Sequence, residues 1–137
     1  MSTAARRLAA TGAAALALTL TTTAAGCSAE HPDAPKPTAV LTPSISDGVQ
    51  VFHVVGLADL RFSAATLEAR PGKIRIDFSV ADGSASHNFV IPRIPAARTD
   101  ILGAGTSQSV TFSVTTPGDY PVICTLHPNM SAMLHVG

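Results

Sequence analysis

The sequence predicts an all-β fold, a two-sheet sandwich with Greek-key connections, and three observations carry that prediction. Ile74, Ile76, Phe78 and Val80 alternate with Lys73, Arg75, Asp77 and Ser79, and Val110, Phe112 and Val114 alternate with Thr111 and Ser113. A period of two marks a half-buried strand with one apolar and one polar face. Turn pairs at Pro71-Gly72, Asp82-Gly83 and Pro117-Gly118 punctuate the runs, as Gly and Pro do where a chain reverses. The runs are short and closely spaced, the pattern of a sandwich rather than of alternating strands and helices.

The fold occupies only part of the 137 residues. Residues 1–26 have the form of an export signal: Arg6 and Arg7 give a basic start, and Leu8 to Leu20 an apolar stretch rich in Ala and Leu. That stretch is shorter than the roughly 20 apolar residues a spanning helix requires, and Thr and Gly interrupt it. Ala24-Ala25-Gly26-Cys27 resembles a bacterial lipobox, with Ala24 where Leu is usual. Cleavage there makes Cys27 the lipidated first residue of the mature protein; the alternative is ordinary cleavage near the Ala-Ala-Gly tract and a secreted or periplasmic product.

Residues 27–48 read as a Pro-rich flexible tether. Pro32, Pro35, Pro37 and Pro43 stand among Ser and Thr, a composition that buries too little apolar area to fold and favours an extended spacer. The domain follows at 49–137, with strands expected at 49–56, 66–69, 73–80, 86–91, 108–114, 119–124 and 132–136. Residues 92–107, with Pro92, Pro95, Gly103 and Gly105, read as loop or a single helical turn.

Charge excludes some partners. The chain balances 9 Lys and Arg against 9 Asp and Glu; loss of Arg6 and Arg7 leaves 7 against 9, a net charge of −2. No basic block exists to hold nucleic acid or an anionic lipid surface, so membrane contact is expected through the lipid anchor alone.

The chemistry concentrates in Cys124-Thr125-Leu126-His127-Pro128-Asn129-Met130, where a thiolate, an imidazole and a thioether share one tight loop. A second imidazole stands upstream at His87, in Ser86-His87-Asn88-Phe89. Two His and a Cys in a trigonal plane with a weak axial Met form the ligand set of a blue-copper site. Soft sulfur favours Cu(I) and imidazole suits either state, so a rigid mixed set serves one-electron exchange. Pro128 fixes the backbone after His127 and restricts His127 itself to extended conformations. Met133 competes with Met130 for the axial position, and a Cys27–Cys124 disulfide competes with metal ligation, since exported chains meet an oxidising space. His31, His53 and His135 read as solvated or structural.

These residues carry a resemblance. Ser86-His87-Asn88 before an apolar run, then Pro117-Gly118-Asp119-Tyr120 leading to Cys124, His127 and Met130, resembles the cupredoxin family in its plastocyanin and amicyanin branch. The two-residue gap between His127 and Met130 is similar to the short ligand loop of amicyanin. The likeness spans roughly 49–137. It implies one copper ion held by His87, Cys124, His127 and Met130, with Asn88 bonding across to the Cys loop, and an outer edge of His127 reaching the surface within an apolar patch. It further implies a monomeric electron carrier between redox partner proteins, not an enzyme. The alternative is a copper-handling protein that buffers or delivers the ion outside the cytoplasm. Such proteins tend to expose Met- and His-rich tracts, and this chain has three Met including the initiator. Catalytic copper proteins of this lineage need more His pairs than the five His of this chain provide.

Overall fold

A computed structural model describes residues 38–137, and these are all-β. Eight strands run in the order β1 (Thr38–Leu41), β2 (Ser44–Ser46), β3 (Val49–Gly56), β4 (Ala64–Ala69), β5 (Gly72–Val80), β6 (Ser107–Val114), β7 (Gly118–Ile123) and β8 (Ser131–Val136). They form two four-stranded mixed sheets, ordered β1-β4-β8-β7 and β2-β3-β5-β6. The signal segment, Cys27 and the tether up to residue 37 lie outside the described residues.

The alternation read from the sequence is the alternation of burial. Ile74, Ile76, Phe78 and Val80 of β5 are buried, Lys73 and Arg75 are exposed, and Phe112 and Val114 of β6 close the same face. In β8, Leu134 and Val136 point into the core while His135 faces water. Phe62, Phe78 and Phe89 meet near the centre with ring centroids 6.0–6.1 Å apart, two pairs edge to face, the geometry that the aromatic quadrupole favours. At the far end, the Tyr120 hydroxyl donates to the Thr116 carbonyl at 2.7 Å, and Arg93 lies over the Tyr120 ring at 5.1 Å.

Two expectations change. Residues 38–46, assigned to the tether, instead form β1 and β2, which moves the start of the domain ahead of residue 49. Flanking prolines suggest a spacer, but Thr38, Val40 and Leu41 pair in parallel with Ala64, Thr66 and Leu67, partners remote in sequence. β2 turns directly into β3 through Asp47 (φ 51°) and Gly48 (φ 74°). Positive φ at both central residues makes this a two-residue hairpin turn that matches the right-handed strand twist.

The second change concerns 86–91, which is extended but forms no ladder strand. His87 bridges Leu102, and Val90 bridges both Arg98 and Ile123. The backbone changes partners residue by residue: Phe89 N–H donates to the Thr99 hydroxyl, and Ile91 N–H to the Ala97 carbonyl. The backbone bonds of His87, Phe89, Val90 and Ile91 thus go to three different segments.

Candidate metal centre

β7 delivers Cys124 to the end of the sandwich, and the loop behind it folds back on two backbone bonds. Met130 N–H donates to the His127 carbonyl at 3.0 Å, and Cys124 N–H to the Met130 carbonyl at 3.1 Å. Cys124 and Met130 are buried; His127 is partly exposed, and Leu126 is exposed.

His87 reaches the same place from the irregular segment. Its ring is fully buried. Nε2 lies 3.1 Å from the Leu57 carbonyl and 2.9 Å from the Ser84 hydroxyl. A carbonyl only accepts, so the proton sits on Nε2 and the lone pair on Nδ1. Fixing the tautomer from behind in this way is how an outer hydrogen bond aims an imidazole ligand. Burial lowers the His87 pKa; the Leu57 hydrogen bond opposes this and the neighbouring His127 adds to it. The shift favours the neutral ring, the form that ligates.

The three donor atoms make a compact triangle. His87 Nδ1 is 3.2 Å from His127 Nδ1 and 3.9 Å from Cys124 Sγ, and His127 Nδ1 is 3.5 Å from Cys124 Sγ. A triangle with those sides has its equidistant point about 2.1 Å from each atom, the length of metal–imidazole and close to that of metal–thiolate bonds. Two imidazole nitrogens and a sulfur gather around a metal-sized centre, and the residues fit a trigonal ion.

Asn88, adjacent to His87, clasps the other loop. Its Nδ2 donates to Thr125 Oγ1 at 2.9 Å, and its Oδ1 accepts from Thr125 N–H at 2.8 Å. This is the cross-loop contact that the resemblance implied. Met133, half-buried on β8, lies three residues beyond Met130, opposite Thr66 and Pro121.

Two supporting residues escaped the sequence reading. A Cβ at Gly56 would stand 2.8 Å from His87 Cδ2 and 3.0 Å from its Cβ and Cγ, so only glycine lets the imidazole lie against the end of β3. The signal was available as a lone Gly closing an apolar strand, which marks a close approach. Leu57, the next residue, contributes through its carbonyl alone, and no side-chain pattern reports that.

Among the described residues, the other histidines stay outside this cluster. His53 is exposed, 3.6 Å from Asp77, and His135 is exposed, 2.6 Å from Asp119. Around the triangle, three loops expose Leu60 (43 %), Ile101 (58 %) and Leu126 (42 %).

Solved structures share this architecture. The chain is similar to the dithionite-reduced auracyanin of Roseiflexus castenholzii at TM-score 0.56 and 19% identity, over 64% of this chain and 96% of that one. It is similar to auracyanin A of Chloroflexus aurantiacus, described as a "blue" copper protein, at TM-score 0.56 and 19% identity, over 66% and 100%. The metal-binding domain of a Cu(I)-exporting P-type ATPase from Streptococcus pneumoniae matches at TM-score 0.61 and 16% identity, over 73% and 97%. No curated protein matches the sequence. At such identities these likenesses establish the fold. A family model for the cupredoxin-like domain, however, matches residues 10–136, nearly the whole sequence, and the chain belongs to that family.

Proposed function

We propose that this protein is a blue-copper electron carrier in which His87 Nδ1, Cys124 Sγ, His127 Nδ1 and the Met130 thioether would hold one copper ion. The observation that carries this is the triangle of Nδ1, Nδ1 and Sγ around a point about 2.1 Å from each, a length that suits metal bonds to imidazole and thiolate. Bound there, copper supplies one-electron exchange between Cu(I) and Cu(II). The protein's residues limit movement during that exchange. The Leu57 carbonyl and Ser84 hydroxyl hold His87 from behind, Asn88 ties its segment to Thr125, and Pro128 stiffens the loop. His127, the partly exposed member of the set, gives electrons their shortest way out, and Leu60, Ile101 and Leu126 supply an apolar surface suited to the small, brief contacts of redox partners.

Export and attachment through Cys27 to the outer face of the membrane complete the reading, which treats the protein as a monomer that meets its redox partners there. Copper buffering or delivery is the competing role; the thiolate among the donors and the braced imidazole favour redox turnover. The test is the optical spectrum of the purified domain after addition of Cu(II). Thiolate-to-copper charge transfer gives an intense blue band in a trigonal His₂Cys site, and a colourless complex with the intact domain overturns the assignment.

A further inference from the structure

Strand register fixes where the chain enters its own domain. β1 begins at Thr38, opposite Ala64 at the start of β4. β4 runs parallel to β8 with Thr66 opposite Met133, which sets Ala64 level with Ser131, and Ser131 lies opposite Ile123, the residue before Cys124. Thr38, Ala64, Ser131 and Ile123 therefore form one row across the sheet, with β1 and β7 at its two edges. Three strand spacings separate those edges, about 14 Å. The segment that comes from Cys27 joins the sandwich at the end that bears Cys124 and His127, not at the opposite end where Ala69, Gly118 and Val136 lie.

Covalent length turns this placement into an orientation. Residues 28–37 join Cys27 to Thr38 in eleven Cα–Cα steps, a contour of at most about 40 Å. β5, with 9 residues, makes the domain roughly 30 Å long in the strand direction. A copper end directed away from the bilayer would require the tether to run back along the whole domain, using about three quarters of its full reach. A copper end directed at the bilayer makes no such demand on its length.

We propose that the lipid-anchored protein presents its copper end to the membrane and exchanges electrons with a redox protein embedded in that same membrane. The inference rests on the electron-carrier reading and on attachment at Cys27. The surface at this end favours a protein over lipid as the occupant. Leu60, Ile101 and Leu126 are interspersed with exposed Asp59, Arg61, Arg98 and Asp100; Asp59 and Arg61 pair with each other. Sinking charges of both signs into acyl chains is costly, and no basic cluster is present to seek anionic headgroups. An apolar, nearly neutral face that is held close to the bilayer fits a membrane protein's exposed docking surface.

The chain contains no Trp, so one introduced indole reports its own height. Ala58→Trp places it in the loop beside His87, and Lys73→Trp at the opposite end of the sandwich. Each variant, copper-loaded and reduced, is joined through the Cys27 thiol to a maleimide lipid in phosphatidylcholine vesicles carrying an acceptor-labelled lipid. Energy transfer is expected to be at least about twofold greater from position 58 than from position 73, given the domain's length, and repeating residues 28–37 in the tether shrinks the difference. Equal transfer, or more from position 73, overturns the orientation. If Leu126→Glu abolishes the difference on these protein-free vesicles, lipid is the occupant and the membrane-protein partner falls. Washed native membranes are expected to reoxidise the reduced protein, whereas reoxidation by the membrane-free soluble fraction alone also overturns that partner. Failure of the underlying readings registers separately, as a missing blue band or as an unmodified Cys27 in the native protein.

Discussion

Gly56 and His87 are in such close contact that a single added carbon at Gly56 would lie 2.8 Å from the imidazole Cδ2. The backbone of β3 cannot retreat, because Gly56 pairs with Val80 and bridges Phe62. Gly56→Ala therefore moves the ring. The expected outcome is a weakened or altered blue band and a loss of copper affinity on the order of 10–100-fold, as when a ligand's support is removed. Overpacking also destabilises the apo domain by about 1–3 kcal/mol. Copper titration and urea denaturation measure the two effects.

Asn88→Ala removes both bonds to Thr125 and leaves the Thr125 N–H without its partner. A part-buried donor left unmade costs about 1–3 kcal/mol. Denaturation of the apo protein should show that loss, and the copper complex should lose further stability as the two loops part. An unchanged affinity for copper would show that the clasp supports only the fold.

Cys124→Ala is expected to abolish the blue colour. Met130→Leu keeps it with a shifted reduction potential, and Met133→Leu leaves band and potential alone. Copper that binds only the folded domain raises its melting temperature, an increase that Cys124→Ala should largely remove. Spectra, voltammetry and calorimetry on the three variants separate the two methionines.

Leu126→Glu should leave the spectrum nearly unchanged, since the exposed side chain lies beside His127 without holding it. It should slow electron exchange with the natural partner by disturbing docking alone. Stopped-flow rates across a salt series check this; rates equal to wild type would place the electron exit elsewhere.

His135 titrates above its ordinary value of 6.5, chiefly because Asp119 accepts its hydrogen bond. A raised folded pKa stabilises the native state fully below the unfolded pKa and loses that contribution as pH rises through the folded value. The pair therefore helps fully below about pH 6.5 and its contribution is lost as pH rises through the higher folded value, weakly because both side chains are exposed. An NMR titration should show the imidazole falling back to the ordinary range in Asp119→Asn.

The chemistry of the site was legible because three of its four proposed ligands are close in sequence, at Cys124, His127 and Met130, and the alternation in β5 and β6 was legible because burial there follows every second residue. What escaped the sequence reading depends on distant backbone. β1 exists because it pairs with β4, and 86–91 fails as a strand because its hydrogen bonds go to Leu102, Ala97, Thr99 and Ile123 in turn. Local composition carries no record of such partners. Asp47-Gly48 was different, a true hairpin signal between Ser46 and Val49 that the surrounding prolines masked.

β8 lies between β4 and β7, parallel to one and antiparallel to the other. Until it inserts, that sheet exists as two unjoined halves, and the loop from Cys124 to Met130 has no strand to close onto. Contacts between such remote segments form slowly, in the millisecond-to-second range typical of sandwiches. Completion of the sheet is consequently a precondition for the metal cage. A partly folded chain has no preformed cage in which a wrong ion could lodge.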